Sequence, residues 1–470
     1  MEMLFLLLSL TSVIPSPGWS EPFLATDSAN TARREQLIFR DDLGRFHLVW
    51  AGFNNESRIA YKMFDINGTT LYPETMISLD SHSSLHSATV MGDSLIVFWR
   101  DYSLVYYAIR SLVDGSGITP ATYLFSASTM YPYIRACPDS LGRLHVLYNV
   151  GKEVHYAVWT PAPGSGFITD YEWMVEGADE GGVLLVDGNR VHLVVQDSLV
   201  HDFLYLQYDL EGNTTVPLTD FTEGDIYCSR FPELILDPDG NLMVVEGSYP
   251  GYFLWKLDKS DGSTIINGSL LVAESPPEMS YTIFRTLNKV PGKDEYFLTW
   301  THNWGGGIHR IYNLIFDSDG NILVDWHIAY NYDNEEPEDL YHINGTMDED
   351  GNLYLIYAQV ETEPEIDYFP TFGWFDYNYV GTEQQEAAVP GQGLSFSCNP
   401  VTGSVTVYSS SGSNALRVFD ISGREVSEIS VSDGIGVWNG TAFSGERLPA
   451  GIYNIIDTTG YIQRVTLLIQ

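Results

Sequence analysis

Four carboxylates, Asp101, Asp197, Glu246 and Asp367, stand where apolar strand patterns give way to irregular loops. Two such groups held roughly 5–9.5 Å apart, one of them with a raised pKa, are the machinery of glycoside hydrolysis. With 62 acidic residues in the chain, the ordinary reading of each is a solvated acid, and spacing alone singles out no pair. His201, His302 and His309 fall at or beside the same loops and could act as bases or ligands. Aromatic rings offer a more economical platform. Tyr102, Tyr249, Tyr252 and Trp304 sit in loops among glycines and polar residues, where they can stack on sugars or peptide side chains, or pack onto neighbouring strands. The candidate ligand-binding set is therefore Tyr102, Tyr249, Tyr252, His302 and Trp304. The chain has no His-Glu-x-x-His, Cys-x-x-Cys, Gly-x-Ser-x-Gly or phosphate-loop motif.

Three acidic turns could hold a cation. Asp237-Pro238-Asp239-Gly240-Asn241, Asp317-Ser318-Asp319-Gly320-Asn321 and Asp348-Glu349-Asp350-Gly351-Asn352 each begin like an oxygen-ligand loop. They lack the chelating Glu at the twelfth position, and the same residues make ideal hairpin turns. No cofactor is expected, with calcium at Asp237, Asp239, Asp317, Asp319, Asp348 and Asp350 as the alternative.

These residues are set out by a repeat. Seven times between residues 36 and 380 an apolar strand runs into a turn, a β-branched or aromatic strand, a variable loop, and a Tyr- or Trp-bearing strand. The turns include Asp41-Asp42-Leu43-Gly44, Asp139-Ser140-Leu141-Gly142, Asp187-Gly188-Asn189 and Asp237-Pro238-Asp239-Gly240. A period of about 50 residues carrying four short strands marks radially repeated sheets, so the expected fold is an all-β propeller, seven blades by repeat count with six or eight as alternatives. Asp and Asn satisfy their own backbone in such turns, and Gly takes the positive φ of a hairpin bulge. The regular turns then gather on one face and the variable loops on the other, where a propeller keeps its site. His47, His145 and His192 recur just after the turn, which points to a packing or hydrogen-bonding role shared by blades. Trp50, Trp99 and Trp300 end second strands and are expected to wedge between blades.

The Asp-x-x-Gly-x-apolar rhythm of residues 36 to 380 resembles the sialidase-like propellers, also called bacterial neuraminidase repeat proteins. The turn Ser260-Asp261-Gly262-Ser263-Thr264 matches their Ser-x-Asp-x-Gly-x-Thr-Trp box only in part. The resemblance implies a catalytic alternative in which Arg135, Arg230 and Arg285, on or near first strands of different blades, converge on a substrate carboxylate, with Asp101 and Glu246 among the acids. The same arginines can instead be strand-end residues paired with the abundant carboxylates.

The pattern changes after Glu383 to Gly393, a linker by composition. Short alternating strands over the last 75 residues or so suggest a small β-sandwich. Asn399-Pro400, Val418-Phe419-Asp420-Ile421-Ser422-Gly423-Arg424 and Leu448-Pro449-Ala450-Gly451-Ile452-Tyr453, with a terminal apolar strand, resemble the C-terminal sorting domain of the type IX (Por) secretion system. That resemblance implies an immunoglobulin-like domain over 396–470, engagement of outer-membrane secretion machinery, and surface attachment or release. Trp438-Asn439-Gly440 also resembles the immunoglobulin-like module of flagellar hook-cap proteins, with the same fold.

The amino terminus fits export. Leu4 to Ile14 is an apolar run too short to span a bilayer, and Gly18-Trp19-Ser20 supplies small residues for a cut before Glu21. The expected organisation is a signal peptide at 1–20, a propeller at 21–382, a linker at 383–395 and the sorting domain at 396–470. With 23 basic against 62 acidic residues the formal charge is −39, which excludes nucleic acid as a partner. Cys137, Cys228 and Cys398 are expected as free thiols. The whole reads as a monomeric secreted or cell-surface propeller, without a transmembrane segment, that binds extracellular glycan or protein through its loop face without catalysis. A sialidase-like or other glycoside hydrolase, or a structural surface component, are the alternatives.

Overall fold

The computed structural model describes residues 13–16, 18–26, 36–53, 56–79, 83–126, 133–150, 153–161, 169–174, 182–197, 202–222, 232–248, 251–272, 285–302, 310–332, 340–361, 367–377, 394–396, 405–409, 415–420, 424–432, 435–448, 451–456 and 462–467. The chain divides into two units, Met1–Phe375 and Asp376–Gln470. Among the described residues every regular element of the first unit is a strand, and the strands form seven separate antiparallel sheets.

Each sheet is one blade of a ring. The innermost strands, in chain order, are Gln36–Arg40, Ser83–Met91, Ile134–Pro138, Gly182–Asp187, Glu233–Leu236, Arg285–Lys289 and Leu340–Met347. Each lies beside the next, and the seventh lies beside the first, so the seven-bladed ring is closed. Blades 1 to 5 run outward in sequence order as four-stranded meanders. Blade 7 takes its outermost strand from the beginning of the chain: Phe23 and Leu24 pair with Phe372 and Thr371.

Local chemistry dictates the repeat. In the turn after Arg40, Asp41 Oδ1 accepts from the backbone N–H of Leu43 at 3.0 Å and of Arg45 at 2.9 Å, and Gly44 closes the turn at φ +75°. Asp139, Asp209, Asp317 and Asp348 accept from the residues two and four places on in the same way. An aspartate supplies the acceptor and the glycine the left-handed residue, so this four-residue phrase makes a hairpin wherever it falls.

Between blades the core is aromatic. Trp50, Trp99 and Trp300 are buried, as expected for wedges, and Trp159 and Trp255 join them. Apolar clusters each span two adjacent blades, for example Val49, Tyr61, Leu85 and Trp99 across blades 1 and 2. This is the interface a solenoid or propeller needs, because one four-stranded blade cannot bury both faces alone.

The second unit is a seven-stranded arrangement, Leu394–Phe396, Val405–Ser409, Ile435–Trp438, Glu425–Ser432, Ala415–Asp420, Gly451–Ile456 and Ile462–Leu467 in spatial order. Glu425–Ser432 pairs along its first part with Ala415–Asp420 and at Val431 and Ser432 with Ile435–Trp438. Its core packs Trp438 on Tyr453, with Val407, Leu416, Val418, Ile429 and Ile455. The expected linker lies outside the described residues, except for its last two.

Candidate functional site

On the face of the regular turns the polar groups are consumed by structure. In blade 1, His47 lies with Nε2 3.2 Å from Asp41 Oδ2 and Nδ1 2.8 Å from the Tyr61 hydroxyl. Blade 3 repeats this with Asp139, His145 and Tyr156 at 3.2 and 2.6 Å. Blade 4 keeps the His192–Tyr205 contact at 2.8 Å. Burial holds His47 and His145 below the ordinary imidazole value, against the pull of Asp41 and Asp139, and pushes His192 down to about 4. These rings are neutral struts, the shared role their recurrence suggested.

The same aspartate position takes other partners elsewhere. Lys256 Nζ stands 2.9 Å from Asp237 Oδ2 and 3.5 Å from Asp319 Oδ1, and the Tyr354 hydroxyl donates to Asp348 Oδ2 at 2.7 Å. At the turns of the calcium alternative, Asp237, Asp239, Asp317, Asp319, Asp348 and Asp350, the leading aspartates have partners within the protein. Asn241, Asn321 and Asn352 each donate a side-chain N–H to the leading aspartate, at 3.0, 2.9 and 3.0 Å, and Asp350 contributes a backbone N–H to Asp348. Lys259 Nζ donates to the Asp239 carbonyl. The leading carboxylates thus serve as hairpin acceptors, and at Asp237 an ammonium joins the N–H donors. Among the described residues no cluster of three or more His, Cys, Asp or Glu is arranged to hold a metal. Cys137 is a half-buried free thiol whose pKa burial raises; Cys228 and Cys398 lie outside the described residues.

Charged side chains also gather on the innermost strands. Arg135 pairs with Leu147 in blade 3, and Glu233 pairs with Val245 in blade 5, so both hold the same position relative to the turn. Burial pushes the Glu233 carboxyl up to about 7, and the charges of Arg285, in blade 6, and Arg135 act against it. Three blades thus bring two guanidiniums within electrostatic reach of one half-buried acid. Arg285 Nη2 donates to Glu246 Oε2 at 3.3 Å, with both side chains closed to solvent. Arg135 Nη1 donates to the Ile134 carbonyl at 3.1 Å. Arg230 lies outside the described residues. The expectation that Arg285 and Glu246 serve as separate substrate-facing groups is corrected, because they are partners in one buried ion pair.

Glu233 was missed in the sequence, where its signal is a single charge inside the apolar run Phe231 to Leu236. A list of 62 acids hides it; only the neighbouring blades give it cationic company.

The loop-face aromatics separate sharply. Tyr252 is fully buried on the third strand of blade 5, its ring 5.1 Å from Trp300 of blade 6, which corrects its expected ligand role: it is an inter-blade wedge. Gly251, paired with Ser248, opens that strand one residue earlier, so Tyr252 points inward. Tyr249 and Trp304 lie outside the described residues, as do Asp197, Asp367 and His302 in their side chains. Asp101 is buried at the end of the second strand of blade 2, paired with Leu104. Tyr102, the next residue, is 67% exposed at φ +53°, the one non-glycine described in the left-handed region. A large side chain there is strained.

No family model matches this chain, and no curated protein matches it. Solved structures do. A polysaccharide lyase of family PL25, an ulvan lyase bound to -[GlcA(1-4)Rha3S]-, superposes with a TM-score of 0.50 at 8% identity, covering 77% of this chain and 94% of that one. A second ulvan lyase structure of that family gives 0.50 at 9% identity, over 77% and 94%. A subtype N10 neuraminidase-like protein of A/little yellow-shouldered bat/Guatemala gives 0.35 at 12% identity, over 77% and 99%. At such identities the lyase matches establish the fold alone: the chain is an all-β protein built on a propeller.

Proposed function

We propose that this chain is a secreted or cell-surface propeller that binds extracellular glycan or protein through its loop face without catalysis, and that the C-terminal unit directs its type IX export. The observation that carries the reading is Tyr102, an aromatic ring two-thirds exposed and held at φ +53° on the two-residue turn between Asp101 and Leu104. A strained backbone under an exposed ring costs free energy, and ligand stacking supplies a reason for it. The pairing of Arg285 with Glu246 speaks against a free arginine triad. The large negative charge is compatible with a soluble life outside the cell, and among the described residues no helix is long and apolar enough to cross a membrane.

The test is a glycan array probed with the purified full chain. Acidic polysaccharide built from glucuronate and sulfated rhamnose, the ligand named for the lyase of like fold, belongs on the array beside neutral and sialylated glycans. Retention of one glycan class, lost on Tyr102→Gly, is expected; no retention of any sugar removes the glycan half of the reading. Deletion of residues 396–470 is expected to keep the chain off the cell surface, and a deleted chain that still reaches it refutes the sorting role.

A second reading rests on Glu233. A carboxyl that burial pushes up to about 7, with the charges of Arg285 and Arg135 acting against the shift, is suited to acid–base chemistry on a glycan. Release of reducing ends or unsaturated sugars from any arrayed polysaccharide, abolished by Glu233→Gln, would favour it over simple binding.

A further inference from the structure

Outermost strands are the exposed edges of a propeller, and this chain blunts them. Blades 1, 2 and 4 carry Pro73, Pro120 and Pro217 there. In each case the threonine two residues on donates to the proline carbonyl, at 3.0, 2.8 and 2.8 Å, and the register breaks nearby. A proline has no N–H to offer a foreign strand. In blade 5 Gly268, at φ +60°, falls at a similar break. Blade 3 has a short edge of 6 residues, Thr169–Met174. Blade 6 has the long one: Ile322–Tyr332 runs 11 residues without a proline.

That edge is covered by the start of the chain. Val13, Ile14 and Pro15 pair antiparallel with Tyr332, Asn331 and Tyr330, making blade 6 a five-stranded sheet. The Ser16 N–H then donates to the Ala329 carbonyl at 3.0 Å. Trp19 is buried at the junction with blade 7, its ring 5.1 Å from Tyr330 and 5.0 Å from Phe375. Ser20 is held three ways: its N–H donates to the Trp374 carbonyl at 2.8 Å, its hydroxyl accepts from the Trp374 N–H at 3.0 Å, and its carbonyl accepts from the Tyr330 hydroxyl at 3.2 Å. Blade 7 is shaped for this contact, since a Cβ on Gly373 would lie 2.1 Å from the Tyr330 hydroxyl. Phe23 goes on to blade 7 and reaches Phe64 of blade 1, 6.2 Å away.

We infer that residues 13–16 and 18–20 are a permanent strap of the folded propeller, stitching blade 6 to blade 7, and that the folded protein keeps them. The small residues that suggest a cut before Glu21, Gly18 and Ser20, flank the Trp19 anchor. A cut there would strip the blade 6 edge and uncover Tyr330 and Phe375.

Two measurements on the full chain test this. Intact-mass analysis and N-terminal sequencing of the protein recovered from producing cells should place the first residue at Val13 or earlier; a first residue anywhere from Ile14 to Glu21 overturns the inference. Trp19→Ala should lower the Tm by roughly 5 °C, as loss of a buried indole between two blades would. An unchanged Tm overturns it as well.

Discussion

Arg285 and Glu246 meet 3.3 Å apart between blades 5 and 6, and neither side chain reaches solvent. A buried ion pair is costly to break and cheap to replace, because a lone charge left inside keeps its desolvation penalty. Arg285→Met or Glu246→Leu alone should each cost about 3–5 kcal/mol in urea unfolding, and the double variant less than either single one. A double variant as unstable as the sum of the singles would show that the two side chains act independently.

His192 makes stability depend on pH. Its folded value of about 4 lies below the ordinary 6.5, so as pH falls below 6.5 the unfolded chain takes up a proton that the folded one refuses. Stability from this group is complete above 6.5 and declines until about pH 4, by on the order of 3 kcal/mol. The lowered aspartates Asp41, Asp139 and Asp237 act only at more acid pH. His192→Gln should flatten the slope of unfolding free energy between pH 4 and 6.5.

Glu233 works in the opposite sense. Its folded value of about 7 lies above the ordinary 4.5, so the folded state holds a proton more tightly, and the contribution present below 4.5 is lost as pH rises through 7. Glu233→Gln should therefore gain stability over the native chain at pH 8 and show little difference at pH 4.5. Equal stability at both pH values would mean that the carboxyl is freely solvated.

Tyr102 offers a test in which stability and binding move apart. Tyr102→Gly removes a side chain from the left-handed region and should stabilise the fold by about 1 kcal/mol. Ligand retention on the array should fall at the same time. A variant that is less stable than the native chain would mean that the ring packs for structure.

Much of the ring was legible because its determinants are local. Asp41 and Gly44 need only each other and the backbone between them to make a turn, so each repeated phrase announces a hairpin, and the period of the strand pattern around the phrases counts the blades. His47, His145 and His192 were legible as a shared structural device for the same reason. The loop face was not. Tyr102 and Tyr252 look alike in sequence, each beside small or polar residues, yet one is exposed and the other is sealed against Trp300. The difference is one of strand phase and of which neighbouring blade comes next.

The sequence by itself determined the turns, the alternation that makes each blade two-faced, and the repeat that closes a ring of them, since these follow from interactions a few residues apart. Only the tertiary structure decided that Glu233 comes within the electrostatic reach of arginines from other blades, that Arg285 is taken by Glu246, and that residues 13–16 and 18–20, at the end of a stretch resembling a disposable leader, pack along blades 6 and 7. Those relationships join residues tens to hundreds of positions apart. Their energies come from burial and charge in a shared low-dielectric space, which exists only once the ring has closed.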